Sequence, residues 1–441
     1  MPVRRELPAG CARRYQSVRA DSAYSSRPRP STDPPPAVRI RSLLRRLAAA
    51  LLVLGPLAVA SIPYWLAPRT MAQVRVRIGA TEYAALVAAA AVVAGVVAAW
   101  LVRRPAGRLL AAGAALATVA LTAYPAWTAA RAVQAPLATI DALAPSSASS
   151  ASSAVPMNAV RRSPLSVRTA LLGLPATPDV ATRHVAYAAA DGSPLDLRLF
   201  RGAACATRPC PTVVALYGGA WMGGDATQAA DTHRYVASLG YLVVALDYRH
   251  APEHPFPAQL DDVRRGLALV RDSAAAWGGD AERVVLWGRS SGGHLATLAA
   301  WDTAPGPLPV RVRGVIDFYG PFDLVRGYTD LPHPDPIGVQ RVLRAFTGGT
   351  PADRPAAYRA ASPASYVRPG LPPTLLVYAA HDHLVKPEFG RAEAAALRAA
   401  GVPVVHVELP FAEHGFDFVP NGADAQAALE VVRRFLEVVM R

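Results

Sequence analysis

The sequence predicts an α/β protein, with a mostly parallel central sheet flanked by helices and about three transmembrane helices ahead of it. Three observations carry this expectation. Three long uncharged apolar stretches precede residue 135, and from about residue 180 short β-rich runs alternate with helical ones. Near-continuous apolar strands separated by helices imply a parallel sheet covered on both faces. Apolar residues make up 52% of the 441, which is high for a purely soluble chain.

Residues 1–38, rich in Arg, Pro and Ser, read as a disordered tail. A membrane region, 39–134, follows with spans expected at 47–66, 83–102 and 109–127. Each span approaches the roughly 20 residues a helix needs to cross a bilayer. Trp65, Trp100 and Trp127 lie near their ends, where amphipathic rings favour the interface. Residues 135–162 contain the run "APSSASSASSAVP" and read as a Ser/Ala-rich linker. The remaining stretch, 163–441, reads as one α/β domain with a small insertion at 325–370.

The net charge of +14 lies wholly before residue 135, where 18 arginines face 4 acids. A nucleic-acid binder would carry its basic patch on the folded domain, so no nucleic-acid partner is expected. Arginines around the apolar stretches instead orient a membrane protein. Seven lie on the side of the N-terminus (Arg39, Arg41, Arg45, Arg46, Arg103, Arg104, Arg108) and four opposite (Arg69, Arg75, Arg77, Arg131). That bias favours a cytoplasmic N-terminus and a domain at 163–441 outside the cytoplasm, in a multi-pass protein of the cell membrane. Cys205 and Cys210 are spaced so that either a local bridge or two free thiols would fit. No Cys/His set has convincing zinc spacing, the pair His381 and His383 included, so no metal is expected.

Within the domain, "HVAYA" and "LDLRLF" flank Asp191-Gly192, a hairpin signal. "TVVALY", "YLVVALDY", "RVVLWG", "VRGVIDFY", "TLLVYAA" and "VVHVEL" supply the further strands. After "RVVLWG" comes Gly288-Arg289-Ser290-Ser291-Gly292, a Gly-x-Ser-x-Gly run between a strand and a helix. A sharp strand-to-helix turn lifts the central hydroxyl above the sheet. Ser290 is therefore the expected nucleophile, and Ser291 is expected to give its backbone N–H at a helix N-terminus, where developing negative charge is favoured. A serine needs a base. Asp382 and His414, each just past a later strand, follow in the order Ser, Asp, His. His414 would take the proton, and Asp382 would orient the imidazole. The loop "LYGGAWMGG" offers the amides of Gly218 and Gly219 as further oxyanion donors.

The segment "DYRHAPEHPFPAQLDDV", with "YGGAW", "GRSSGG", "HDHLV" and "EHGFD", resembles the hormone-sensitive-lipase-like, bacterial group IV esterases over roughly residues 180–441. The resemblance implies the α/β-hydrolase fold, hydrolysis of carboxylic esters through an acyl-serine, and no cofactor. It carries Ser290, Asp382 and His414 over as the triad, with Gly218, Gly219 and the Ser291 amide as the oxyanion hole. It also implies that Asp247–Val263 shapes the wall beneath the nucleophile. The chain departs from the family in reading Tyr217-Gly218-Gly219-Ala220 for His-Gly-Gly-Gly, Arg289 for an acid, and Ser291 for alanine. Arg289 is thus a candidate substrate-binding residue for anionic acyl groups, or else a surface arginine bonded elsewhere. Trp221 is a second candidate. The expected partners are a membrane and a small-molecule or lipid ester. An amidase or acyltransferase on an envelope lipid or glycan would use the same triad, and a non-catalytic binding module would not need it.

Overall fold

β-Branched and aliphatic runs set the centre of the molecule. In the computed structural model, which describes residues 36–144, 164–304 and 306–441, eight such runs form strands. They are β1 (Ala181–Ala188), β2 (Pro194–Arg201), β3 (Cys210–Leu216), β4 (Leu242–Leu246), β5 (Gly279–Arg289), β6 (Val312–Phe318), β7 (Thr374–Ala379) and β8 (Val404–Leu409). Their order across the sheet is β1-β2-β4-β3-β5-β6-β7-β8. β1 and β2 form the expected hairpin, β2 lies antiparallel to β4, and every other pairing is parallel. The pleat sends alternate residues to opposite faces. Val213, Ala215, Val285 and Trp287 enter one buried cluster, while Val214, Leu216, Val284 and Leu286 enter another. Parallel order places the C-terminal ends of β3, β5, β6, β7 and β8 at one edge, where ligands collect in open α/β sheets.

The helices before the sheet are α1 (Pro36–Trp65), α2 (Met71–Glu82), α3 (Ala84–Leu101), α4 (Pro105–Ala132) and α5 (Gln134–Ala142). Three stretches are long and apolar enough to cross a membrane: Val38–Trp65, Ala84–Leu101 and Pro105–Ala142. The second lies within one residue of the expected 83–102 at each end, whereas the first starts nine residues ahead of the expected 47–66. The third is far longer than 109–127, since α4 runs almost directly into α5. At about 1.5 Å per residue its 38 residues reach about 57 Å, well beyond a hydrocarbon core of about 30 Å.

The surplus length is packed. Ala129, Val133 and Ile140 are fully buried in the same cluster as Val405, Val407 and Phe435. The expected linker at 135–162 is therefore corrected at its start, because α5 belongs to the sheet's core. Most of the Ser/Ala run, and the expected tail up to residue 35, lie outside the described residues. The described residues from Arg46 onward form one compact unit.

After the helix α6 (Val167–Leu172), the domain's flanking helices include α7 (Ala230–Ser238), α8 (Ala258–Trp277) and α9 (Ser291–Trp301). The insertion between β6 and β7 folds as three short helices, α10 (Leu324–Thr329), α11 (Val339–Thr347) and α12 (Pro355–Ala360). Val342, Leu343 and Phe346 of α11 are buried against the second cluster. α13 (Glu388–Ala399) and α14 (Ala423–Val439) complete the chain. Cys205 and Cys210 form a disulfide, which resolves the alternative that their spacing left open.

Candidate active site

One residue separates β5 from α9, and it is Ser290, at φ +53° and ψ −122°. A non-glycine residue held there is strained, a feature typical of functional turns. Its neighbours must be glycine. A Cβ at Gly288 would sit 2.0 Å from the carbonyl oxygen of Gly292, and one at Gly292 would sit 2.3 Å from that of Leu216. The Ser290 amide donates to the Phe318 carbonyl at 2.8 Å, tying the turn to β6.

Asp382 stands in the loop after β7, and His414 in the loop after β8. The Ser290 hydroxyl donates to His414 Nε2 at 2.9 Å, and His414 Nδ1–H donates to Asp382 Oδ2 at 2.8 Å. The second Asp382 oxygen accepts the amides of Leu384 and Val385 at 2.8 and 2.7 Å, which fixes the carboxylate. Asp382 and His414 are both buried. Burial alone would lower the imidazole pKa. The charge and hydrogen bond of Asp382, with Glu413 and Asp417 nearby, outweigh it and raise the pKa above its usual value. A hydroxyl, an imidazole and a carboxylate in this line can pass a proton from oxygen to nitrogen while the cation stays paired.

The oxyanion donors differ from the expectation. The Gly218 amide donates to Gln228 Oε1 at 2.8 Å, and Gln228 Nε2 returns a bond to the Gly218 carbonyl at 3.0 Å. Gly218 is therefore corrected: its N–H is committed to Gln228. The Gly219 amide donates to Ser291 Oγ at 3.0 Å. Gly219 is therefore corrected too: its N–H is committed to the Ser291 hydroxyl, for which no role was expected, and Tyr248 OH lies 3.3 Å from that hydroxyl. The amide of Ser291 at the start of α9 and that of Ala220, at φ +55°, have no hydrogen-bond partner among the described residues. Ala220 also lines the cavity. Sequence reasoning passed over it, although it stands where the family has its third glycine and its backbone is left-handed.

Of the two readings of Arg289, the substrate-binding one is corrected: the arginine is bonded elsewhere, as its alternative had it, but buried and not on the surface. Its guanidinium is buried, ion-paired to Asp417, and stacked 4.4 Å from the Trp287 ring. Tyr319 OH donates to the other Asp417 oxygen. The charge is thus neutralised beside the triad and is not available to an acidic acyl group. Trp221 lines the cavity but is nearly buried. Its indole N–H donates to His294 Nδ1 at 3.2 Å, and its ring stacks on Phe346 at 4.1 Å. His381 and His383 are committed elsewhere, to the Pro410 carbonyl and to Glu413. Beneath the nucleophile turn, Tyr217 OH donates to Asp247 at 2.5 Å and Arg249 pairs with Asp262 through two nitrogens. The Asp247–Val263 stretch thus buttresses the loop that carries Gly218 and Gly219.

Ser290 and His414 face a cavity of about 420 Å³. Leu324, Ile337, Val342 and Leu343 form one apolar wall, from the insertion. Met71, Val74 and Ile78 of α2 form another. No sequence signal had connected α2 to the site.

A family model described as BD-FAE matches residues 200–397. The chain is 32% identical over 241 residues to a probable carboxylic ester hydrolase, LipM, of Mycobacterium tuberculosis, covering 53% of this chain and 55% of that one. It is 31% identical over 238 residues to the carboxylesterase NlhH of the same organism, covering 52% and 73%. Across the first of these relatives it spans little more than half of their length. Among solved structures it is similar to an esterase of Pyrobaculum calidifontis, with a TM-score of 0.51, 26% identity, and coverage of 59% of this chain and 86% of that one.

Proposed function

Because the chain belongs to the hormone-sensitive-lipase-like, bacterial group IV family of α/β-hydrolase esterases, we propose that it is a membrane-anchored serine hydrolase that cleaves carboxylic esters through an acyl-serine intermediate. The observation that carries the reading is the hydrogen-bonded line Ser290–His414–Asp382 at 2.9 and 2.8 Å. Ser290 Oγ attacks the ester carbonyl as its proton passes to His414 Nε2. The new C–O bond converts the carbonyl to an oxyanion, which the Ser291 and Ala220 amides are free to receive. Asp382 stabilises the imidazolium. The imidazolium protonates the departing alkoxide; His414 then takes a proton from water as it attacks the acyl-serine, and returns it to Ser290 Oγ as the acid leaves.

The three apolar helices support anchoring in a membrane. The arginine bias and the Cys205–Cys210 disulfide support a catalytic domain outside the cytoplasm, since disulfides persist in oxidising compartments. The test is labelling with a fluorophosphonate. We expect the full-length protein to be labelled and Ser290→Ala to lose the label. Equal labelling of the two would remove Ser290 as nucleophile.

A further inference from the structure

Part of the cavity wall comes from between two membrane spans. Met71, Val74, Arg75 and Ile78 line the cavity, and they recur at i, i+3, i+4 and i+7 of α2, one face of a helix. Val74 and Ile78 are buried against Val419, with Leu384 packed beside them. Those two partners follow His414 and Asp382 in the chain by a few residues. The placement is built, because the buried Arg77 on α2 pairs with Glu413 and donates to the Leu66 carbonyl.

The same helix runs almost without break into the second span. Only Tyr83 separates α2 from α3, and its amide donates to the Gly79 carbonyl while its carbonyl accepts from Val87, both at 3.0 Å. From Ile78 to Ala84 is therefore about 9 Å at helical rise. The interfacial layer on each side of the hydrocarbon is about 5–8 Å deep. Phe411, three residues before His414, packs against Tyr64 and Tyr124, with ring centroids 5.2 and 5.6 Å apart. Tyr64 lies near the end of the first span and Tyr124 within the third. Residues next to the triad thus pack on α2 and on the first and third apolar stretches, and the α2 wall of the cavity is apolar apart from the exposed Arg75.

We infer that the site draws its substrate directly from the bilayer: an acyl ester of a membrane lipid, with its scissile carbonyl at interfacial depth and its chain lying against Met71, Val74 and Ile78. This inference rests on the esterase reading and on the three helices spanning a membrane. A long-chain ester taken up from water would need neither α2 nor a shared membrane.

The test uses the full chain reconstituted in phosphatidylcholine vesicles. A phosphatidylglycerol carrying a fluorogenic acyl ester is placed either in those vesicles or in separate protein-free ones, and p-nitrophenyl butyrate is added in solution as the soluble ester. The lipid that shares the protein's membrane should be cleaved at least about tenfold faster than the lipid in separate vesicles. Ile78→Trp should lower kcat/KM on the lipid about tenfold more than on p-nitrophenyl butyrate, the scale on which a filled apolar pocket discriminates. Ile78→Ala, which removes apolar contact with the chain, should lower the same ratio, by a few-fold. Fluorophosphonate labelling of Ser290 reports that the site is assembled in each variant. Equal rates from the two vesicle populations would overturn uptake from the bilayer. Equal losses on both substrates in a variant that still labels would overturn the α2 wall. Cleavage of the soluble ester with none of the lipid would overturn the inference and leave the esterase reading standing. Cleavage of neither substrate would remove the esterase reading, and the inference with it.

Discussion

Arg77 Nε lies 3.4 Å from Glu413 Oε2, and neither side chain reaches solvent. α2 is therefore ion-paired to the residue that precedes His414. Glu413 also accepts the amides of His383 and His414, at 2.9 and 3.0 Å, so one carboxylate joins α2 to the loops of Asp382 and His414. Removing one member of a buried pair leaves the other charge uncompensated, at a cost of about 3–5 kcal/mol. We expect Arg77→Met and Glu413→Gln each to lower thermal stability in nanodiscs. Glu413→Gln should also slow ester hydrolysis, because it weakens the acceptor of the His414 amide. The double variant Arg77→Met/Glu413→Leu should recover part of the stability and little of the rate.

The raised pKa of His414 fixes the sign of the pH dependence. A general base must be neutral, and the imidazole keeps its proton to higher pH than the ordinary value of 6.5. The acid limb of kcat/KM should therefore have its midpoint above 6.5. Asp382→Asn removes the main charge that opposes burial, so the limb should move to lower pH, and the rate should fall about 10³–10⁴-fold as the imidazole loses its orienter. A pH–rate profile of both proteins decides it. The linkage to stability has the matching sign. The contribution of His414 is full below its unfolded pKa and is lost as pH rises through the folded one.

Ser290 and Ser291 are separable. Ser291→Ala retains its backbone N–H and loses only the hydroxyl that engages Gly219 and Tyr248. Fluorophosphonate labelling should persist, with kcat/KM changed by less than about tenfold, a net neutral hydrogen bond being about 1 kcal/mol. Gln228→Leu should be worse. It strips both partners from the Gly218 peptide, at about 1–3 kcal/mol for each group left unsatisfied. Loss of labelling in Ser291→Ala would shift the nucleophile assignment.

The Cys205–Cys210 bridge closes a small loop before β3. By loop-closure entropy a ring of that size stabilises by about 2 kcal/mol. Replacing both cysteines by serine should lower the unfolding temperature of the full chain without abolishing labelling. Alkylation of whole-cell protein should find no free thiol at either position. Full alkylation before reduction would contradict both the bridge and the oxidising compartment.

The strands and the triad were legible because their signals are local. The apolar runs, the Gly-x-Ser-x-Gly turn, and Asp and His just past later strands are each complete within a few residues. What stayed hidden depends on distance along the chain. Arg289 meets Asp417 128 positions away, so its neighbours could not say whether the cation was free for substrate or bonded elsewhere. Gln228 takes the Gly218 amide across a loop whose geometry no spacing rule encodes. The face of α2 that meets the cavity carries Arg75 among its apolar residues, so it read as an ordinary inter-span loop. The α5 segment was read as linker because the Ser/Ala run just beyond it dominated that stretch. Leu137 and Ile140, packed in or against the core, were the signal that could have corrected this.

The burial of Ala129, Val133 and Ile140 has a consequence for how the enzyme can be handled. The third apolar stretch enters the sheet's own packing as a strut, so the α/β domain has no free hinge at that point on which to swivel. A water-soluble fragment beginning at residue 164 would lack the strut and bare the flank of β8 and α14, and we expect it to aggregate.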